Sequence, residues 1–215
     1  MTTIYLVRHG ETEANLNLIY QGCINTPLTE NGLKQVDRLV EKLAPVKFDC
    51  IYSSPLPRAL YTAEAIGKGR NIPLVVDPVL IEVGGGLFEG KTMQELKQSH
   101  PEETRIWFEE FWRFLGPGLD EGVETKFEQM KRAITRMVRQ HPNQTVALSA
   151  HGCVQRVFNG IIQGWPIERL QELTFGPNCC FSAAEFEEDG TVRRILTINE
   201  RSHLQGFEVH HFGTD

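Results

Sequence analysis

Cysteine is scarce and poorly spaced for either of its structural uses. The five cysteines, Cys23, Cys50, Cys153, Cys179 and Cys180, are odd in number and contain no Cys-x-x-Cys pair. Neither a disulfide framework nor a zinc site is indicated. Free thiols suit a reducing compartment, and the cytoplasm is the expected location. No run of ~18 apolar residues is present, so a membrane-spanning helix is not expected. Strand-forming residues begin at Ile4, which leaves no room for a secretion signal. No cluster of Lys and Arg occurs and the net charge is −6, which argues against a nucleic-acid surface. Repeats and low-complexity tracts are absent too. What remains is ordinary globular composition, 40% hydrophobic and 23% charged over 215 residues. That length suits one domain, residues 1–215, with a sizeable core.

Strand-like and helix-like stretches alternate. Ile4 to Val7 reads as a buried strand. Glu13 to Pro27 reads as a loop. Thr29 is a plausible N-cap for a helix from Glu30 to Leu43, with Leu33, Val36, Leu39, Val40 and Leu43 at helical spacing and Pro45 ending it. Cys50 to Ser54 is a second strand, Pro55 to about Lys68 a helix, and Leu74 to Val76 a third strand. Gly84-Gly85-Gly86 forces a loop. From Thr92 to about Leu115 the chain reads as helix in two pieces joined at Pro101, an excursion at about 92–122 over the sheet edge. Its aromatic stripe, Trp107, Phe108, Phe111, Trp112 and Phe114, fits core or lid. A helix at about 124–140, a strand at Thr145–Ala150 and a helix at Val154–Ile162 follow. Phe181–Phe186 and Val192–Ile198 form a hairpin through Asp189-Gly190. The polar tail from Glu200 is expected to be loosely held. Such alternation predicts an α/β three-layer sandwich, a mostly parallel central sheet with helices on both faces and an antiparallel edge.

Two strands end alike. Ile4-Tyr5-Leu6-Val7 runs into Arg8-His9-Gly10, and Val146-Ala147-Leu148-Ser149-Ala150 runs into His151-Gly152. Parallel strands put both histidines at the carboxyl edge of the sheet, where open α/β sheets bind ligands. The second strand leads through Ser53-Ser54-Pro55 to Arg58 at a helix start, and helix N-termini attract anions. Two arginines and two histidines in one place fit a phosphate group.

These motifs, with Glu11-Thr12, Asn15, Gln21-Gly22, Pro27-Leu28-Thr29, Ala59, Thr62-Ala63, Glu82, Gly86-x-x-Glu89-Gly90 and Ser149-x-His151-Gly152, match in order those of the histidine phosphatase superfamily, which the chain resembles over residues 3–186. The superfamily includes the cofactor-dependent phosphoglycerate mutases. The resemblance implies a metal-independent phosphomonoester hydrolase working through phosphohistidine on a small phosphorylated metabolite, without a cofactor. It implies His9 as nucleophile, and Arg8, Arg58 and His151 as the phosphate clamp. Glu82 would be the general acid and then base, and Asn15, Gln21, Gly22 and Gly152 would contact phosphate or substrate. A monomer or a homodimer is equally compatible.

The chain departs from the family pattern in places. Leu18 and Ile19 stand where an arginine is frequent, and Asn25 where aspartate is. Gly84 and Gly85 replace bulky residues beside the acid, which implies either a roomier pocket or a more mobile loop. The mutases carry a longer insertion and basic residues beside the acid; here the neighbours are Val83 and glycines, which favours hydrolysis over isomerisation. A non-catalytic phospho-ligand sensor is a third reading. Cys23 and Cys153 adjoin site motifs and raise the prospect of oxidation sensitivity. Glu89 is expected to be structural, His100, His141 and His203 to lie at the surface, and His210-His211 to belong to a solvated tail.

Overall fold

The computed structural model describes residues 1–208, and the His210-His211 pair lies outside the described residues. Six strands form one sheet in the order β3-β2-β4-β1-β5-β6. They are β1 (Thr2–Arg8), β2 (Cys50–Ser53), β3 (Leu74–Val76), β4 (Thr145–Ala150), β5 (Phe181–Phe186) and β6 (Val192–Glu200). β1, β2, β3 and β4 run parallel, and the β5–β6 hairpin adds the antiparallel edge beside β1. The expected α/β sandwich is therefore present.

Side-chain alternation along the central strands divides the interior in two. Ile4, Leu6, Val146, Leu148 and Ala150 face one layer, with Met130, Ile134, Val154 and Phe158. Val7 and Ala147 face the other, with Val36, Leu39, Ala63 and Ile66. The first layer contains α6 (Val123–Gln140) and α7 (Gly152–Ile162), and the second α2 (Glu30–Leu43) and α3 (Pro57–Gly67). Helix α2 begins as expected, the Thr29 hydroxyl accepting from Gly32 N at 2.8 Å. Leu33, although in phase with its neighbours, is exposed at the edge of the apolar stripe.

Several expectations need correcting. The 13–27 segment contains a short helix, α1 (Glu13–Leu16), closed by a capping box between Thr12 and Asn15. Pro57, not Pro55, opens α3, a position where the missing N–H costs nothing. The excursion divides at Pro101 as expected, into α4 (Met93–Ser99) and α5 (Pro101–Glu109), but its second helix stops short of Leu115, and Phe111–Arg113 turns as a 3-10 segment. Most of its stripe is core, with Phe111 and Phe114 fully buried, while the nearly buried Trp107 also lines the cleft described below and Phe108 faces out. The tail to residue 208 is anchored through buried Leu204, which packs in the second layer. His141 is no free surface residue, since its Nε2 meets Tyr52 Oη at 2.8 Å and its Nδ1 Gln144 Oε1 at 2.7 Å. His203 stacks on Phe181 and meets Cys179 O at 3.0 Å.

Two of the three glycines that follow Val83 are needed for close approach. A Cβ on Gly85 would lie 2.3 Å from the Tyr20 ring, and one on Gly86 2.2 Å from Pro117 O. Gly86 also takes a positive φ of 54°. The glycines thus lock the Glu82 loop against Tyr20 and the 116–118 turn, and neither added room nor loop mobility is needed to account for them.

Candidate active site

Strands β1 and β4 are adjacent and in register, Val7 opposite Ser149 and Arg8 opposite Ala150. The two histidines therefore emerge side by side, with ring centroids 5.2 Å apart. His9 N donates to Ala150 O at 3.0 Å, tying the first motif to the second. Both rings are buried.

The His9 ring is oriented by its own backbone. Nδ1 lies 2.7 Å from Gly10 O. A carbonyl oxygen can only accept, so Nδ1 holds the proton and Nε2 keeps its lone pair. Nε2 accepts from Arg58 Nε at 3.3 Å. The rest of the Arg58 guanidinium is pinned by Gly22 O at 2.6 Å and Ile24 O at 2.8 Å. Burial, and then the nearby Arg58 and Arg8 charges, hold His9 well below the usual imidazole range. Burial and Arg58, followed by His9, do the same to His151. Both rings are thus neutral near pH 7, as a nitrogen nucleophile requires.

Arg8 donates through Nη1 to Gly176 O, while its buried Nε makes no hydrogen bond. His151 Nε2 meets Ser54 Oγ at 2.7 Å, and its buried Nδ1 is likewise unpartnered. Buried polar atoms left unmet are costly and uncommon. Two of them beside two guanidinium groups and the α7 N-terminus make an anion cradle. Burial lowers both arginines, Arg58 to about 10, which leaves each charged at pH 7.

Glu82 faces this cradle across the cleft. Its carboxylate accepts from Val83 N at 2.9 Å and, at the α7 N-terminus, from Cys153 N at 3.1 Å. Glu89 acts one step behind, accepting from Cys23 N and Gly85 N at 2.8 and 3.0 Å, and so joins the Gly22 turn to the glycine loop.

Arg8, His9, Asn15, Gln21, Gly22, Arg58, Glu82 and Gly152 all line one small cleft of ≈ 70 Å³. His151 lies behind it, in ring contact with His9. Gln21 has less freedom than its motif suggested, because its amide already bonds Thr12 and Thr26. Asn15 is better placed. Its Oδ1 accepts from Thr12 N, Thr12 Oγ1 and Asn178 Nδ2 at 3.0–3.1 Å, which leaves its Nδ2 as the end free to donate.

Two residues around the cleft, Asn178 and Phe175, were not legible in advance. Asn178 bridges Asn15 and His9 O, the latter at 3.0 Å, from the turn before β5. A lone asparagine carries no signal, although the Gly176-Pro177 turn leading into β5 could have marked the segment. Ile19, Tyr20, Trp107, Cys153 and Phe175 complete the lining. Trp107 stacks on Phe175, with centroids 5.7 Å apart, and Arg156 lies 4.8 Å over the Phe175 ring. Cys153 and Cys23 are poor oxidation sensors, since burial pushes Cys153 well above its ordinary value and Cys23 up to about 11, leaving little thiolate.

The histidine phosphatase superfamily (branch 1) model matches residues 4–200. The chain belongs to this superfamily. It is a phosphatase by that membership and by its relatives. It is 31% identical to phosphoserine phosphatase 1 of Hydrogenobacter thermophilus, over 97% of both chains. It is 29% identical to the adenosylcobalamin/alpha-ribazole phosphatase of Escherichia coli, over 90% of this chain and 94% of that one. Among solved structures, Bacillus stearothermophilus YhfR superposes with a TM-score of 0.88 at 30% identity, covering 95% of this chain and all of that one.

Proposed function

We propose that this phosphatase hydrolyses a small phosphomonoester through a phosphohistidine at His9. The observation that carries the reading is the His9 ring itself. Its Nδ1 proton is committed to Gly10 O, and its neutral Nε2 lone pair faces Arg58 in the cleft. A phosphoryl group entering there would exchange one partner of Nε2 for another.

In the first step Nε2 attacks phosphorus, the N–P bond forms, and the bond to the ester oxygen breaks. Arg8, Arg58, Asn15 and His151, whose Nδ1 donates when Nε2 accepts from Ser54 Oγ, hold the phosphoryl oxygens as their charge spreads. Glu82, in its protonated form, gives its proton to the departing alkoxide. In the second step Glu82 takes a proton from water, the water oxygen bonds to phosphorus, and the N–P bond breaks, releasing phosphate and neutral His9. Arginines and backbone N–H groups supply the positive charge a metal would otherwise provide, so no metal enters the scheme.

The test is phosphate release from a panel of phosphomonoesters with chelator present. Release that continues in chelator and vanishes in His9→Ala supports the reading, whereas substantial release by His9→Ala would overturn it. A mutase of the same chemistry would instead return the phosphoryl group to an alcohol, so phosphate release distinguishes the two.

A further inference from the structure

The turn before β5 reaches the catalytic residues from behind the cleft. It is closed by Cys180 N, which donates to Pro177 O at 3.1 Å. Within it Cys179 takes a φ of 60°, a left-handed conformation that a cysteine adopts only at a cost. Gly176 O accepts from Arg8 Nη1, and Cys179 N donates to Arg8 O and His9 O at 3.1 and 3.2 Å. Asn178 sits between these contacts and is almost fully buried.

The orientation of its amide follows from its partners. The His9 carbonyl can only accept, so the end of Asn178 that meets it at 3.0 Å is Nδ2. The same Nδ2 meets the Asn15 side chain at 3.1 Å, which must answer with its oxygen. Thr12 N, also a donor only, reaches that Oδ1 at 3.1 Å. Two donors therefore hold Asn15 Oδ1, and Nδ2 is the end that Asn15 can offer to the cleft it lines. Thr12 is a near neighbour of Asn15 in the chain and settles which end of the amide it receives. Asn178 lies 163 residues from Asn15 and ties that amide to the backbone of the nucleophile.

We propose that Asn178 is a positioning residue for phosphoryl transfer, setting the Asn15 Nδ2 donor at a fixed place relative to His9. Asn178 is not among the residues that line the cleft, so it works through another side chain. That side chain is Asn15 rather than His9. With the Asn178 amide removed, Cys179 N still donates to His9 O and Gly10 O still accepts from His9 Nδ1. Asn15 Oδ1, by contrast, keeps only the partners supplied by Thr12, from its own helix start. The assignment rests on the reading above, in which Asn15 holds the phosphoryl group.

The competing role for Asn178 is to peg the strained turn in place. A peg would cost the same whether or not Asn15 keeps its amide, whereas a positioning residue would not. The experiment is a double-mutant cycle over wild type, Asn178→Ala, Asn15→Ala and the double variant. It reads kcat/KM for p-nitrophenyl phosphate and the inhibition constant of inorganic phosphate. The proposal expects Asn178→Ala to lower kcat/KM roughly tenfold, about the worth of one hydrogen bond, and to weaken inhibition by phosphate. In the Asn15→Ala background the same substitution should change either value by less than about twofold, because the group it acts through is gone. Equal fold losses in both backgrounds overturn the proposal, as do wild-type values in Asn178→Ala. Should Asn178→Ala not fold, Asn178→Leu, of similar size and without a donor, takes its place in the cycle. Failure of the underlying reading shows differently: Asn15→Ala alone would leave both values unchanged, which removes Asn15 from the clamp and the proposal with it.

Discussion

At the scale of single residues, the site contrasts groups that are already satisfied with groups that are not. Gln21 and Ser54 have partners in the protein, while Arg8 Nε and His151 Nδ1 have none. Only the second kind gains hydrogen bonds without giving any up when an anion arrives, whereas Arg58, also assigned to the clamp, exchanges bonds it already makes to His9, Gly22 O and Ile24 O. Glu82 is assigned the proton, and its substitution separates that role from binding. Glu82→Gln keeps the shape and can still accept from Cys153 N, but it carries no transferable proton. It should slow alkyl esters by ~10²–10⁴. It should slow p-nitrophenyl phosphate much less, because that leaving group needs little protonation. Steady-state rates on both esters decide it, and equal losses would remove Glu82 from the first step. Arg8, His9, Arg58 and His151 were legible because each ends or follows a strand or stands at a helix start, whereas Glu82 and Asn15 were read from the family resemblance alone. Asn178 was not legible, because its partners His9 and Asn15 lie 169 and 163 residues away in the chain and nothing local marks it.

At the scale of elements, the sheet was readable from alternation and the helices from their period. The loops were not, since their form depends on contacts with other loops. The glycine run shows why. Its sequence suggested room or mobility, but the folded chain uses it for backbone-to-backbone packing, with Leu87 N donating to Pro117 O at 3.1 Å. Gly86→Ala should therefore carry two costs, ~1–2 kcal/mol for a left-handed residue and ~1–3 kcal/mol for overpacking. Gly69→Ala offers the control, because Gly69 has φ +74° and nothing within 4 Å of its Cβ position, so only the first cost applies. Urea unfolding of the two variants should show the larger loss for Gly86→Ala, and equal losses would argue that the loop contact contributes nothing. The capping box of α1 was likewise missed, since four residues are too few for a periodic signal.

At the scale of the whole molecule, an acidic chain concentrates buried cations and neutral histidines at one sheet edge. That arrangement ties stability to pH. An unfolded histidine takes up a proton below about pH 6.5. His9 and His151 resist it until much lower, because burial and then Arg58 oppose the charge. The unfolded state then binds more protons, so stability falls as the pH drops below about 6.5 and is level above it as far as these two groups are concerned. Urea unfolding at about pH 7.5 and pH 5 should show the decline, and it should be shallower in a His9→Asn/His151→Asn double variant. An identical decline in that variant would place its origin elsewhere. None of the helices among the described residues is long and apolar enough to cross a membrane, in keeping with the hydropathy of the sequence.

The central claim is covalent: phosphate passes through His9 Nε2. Its most direct measurement is to mix enzyme with a turned-over ester, quench in alkali within the first turnovers, and map the protein by mass spectrometry. The account predicts one phosphoryl group on His9, stable to alkali, lost in acid and absent from His9→Ala. Phosphate release at full rate with no trapped phosphoryl group on His9, or with the label on another residue, would contradict it.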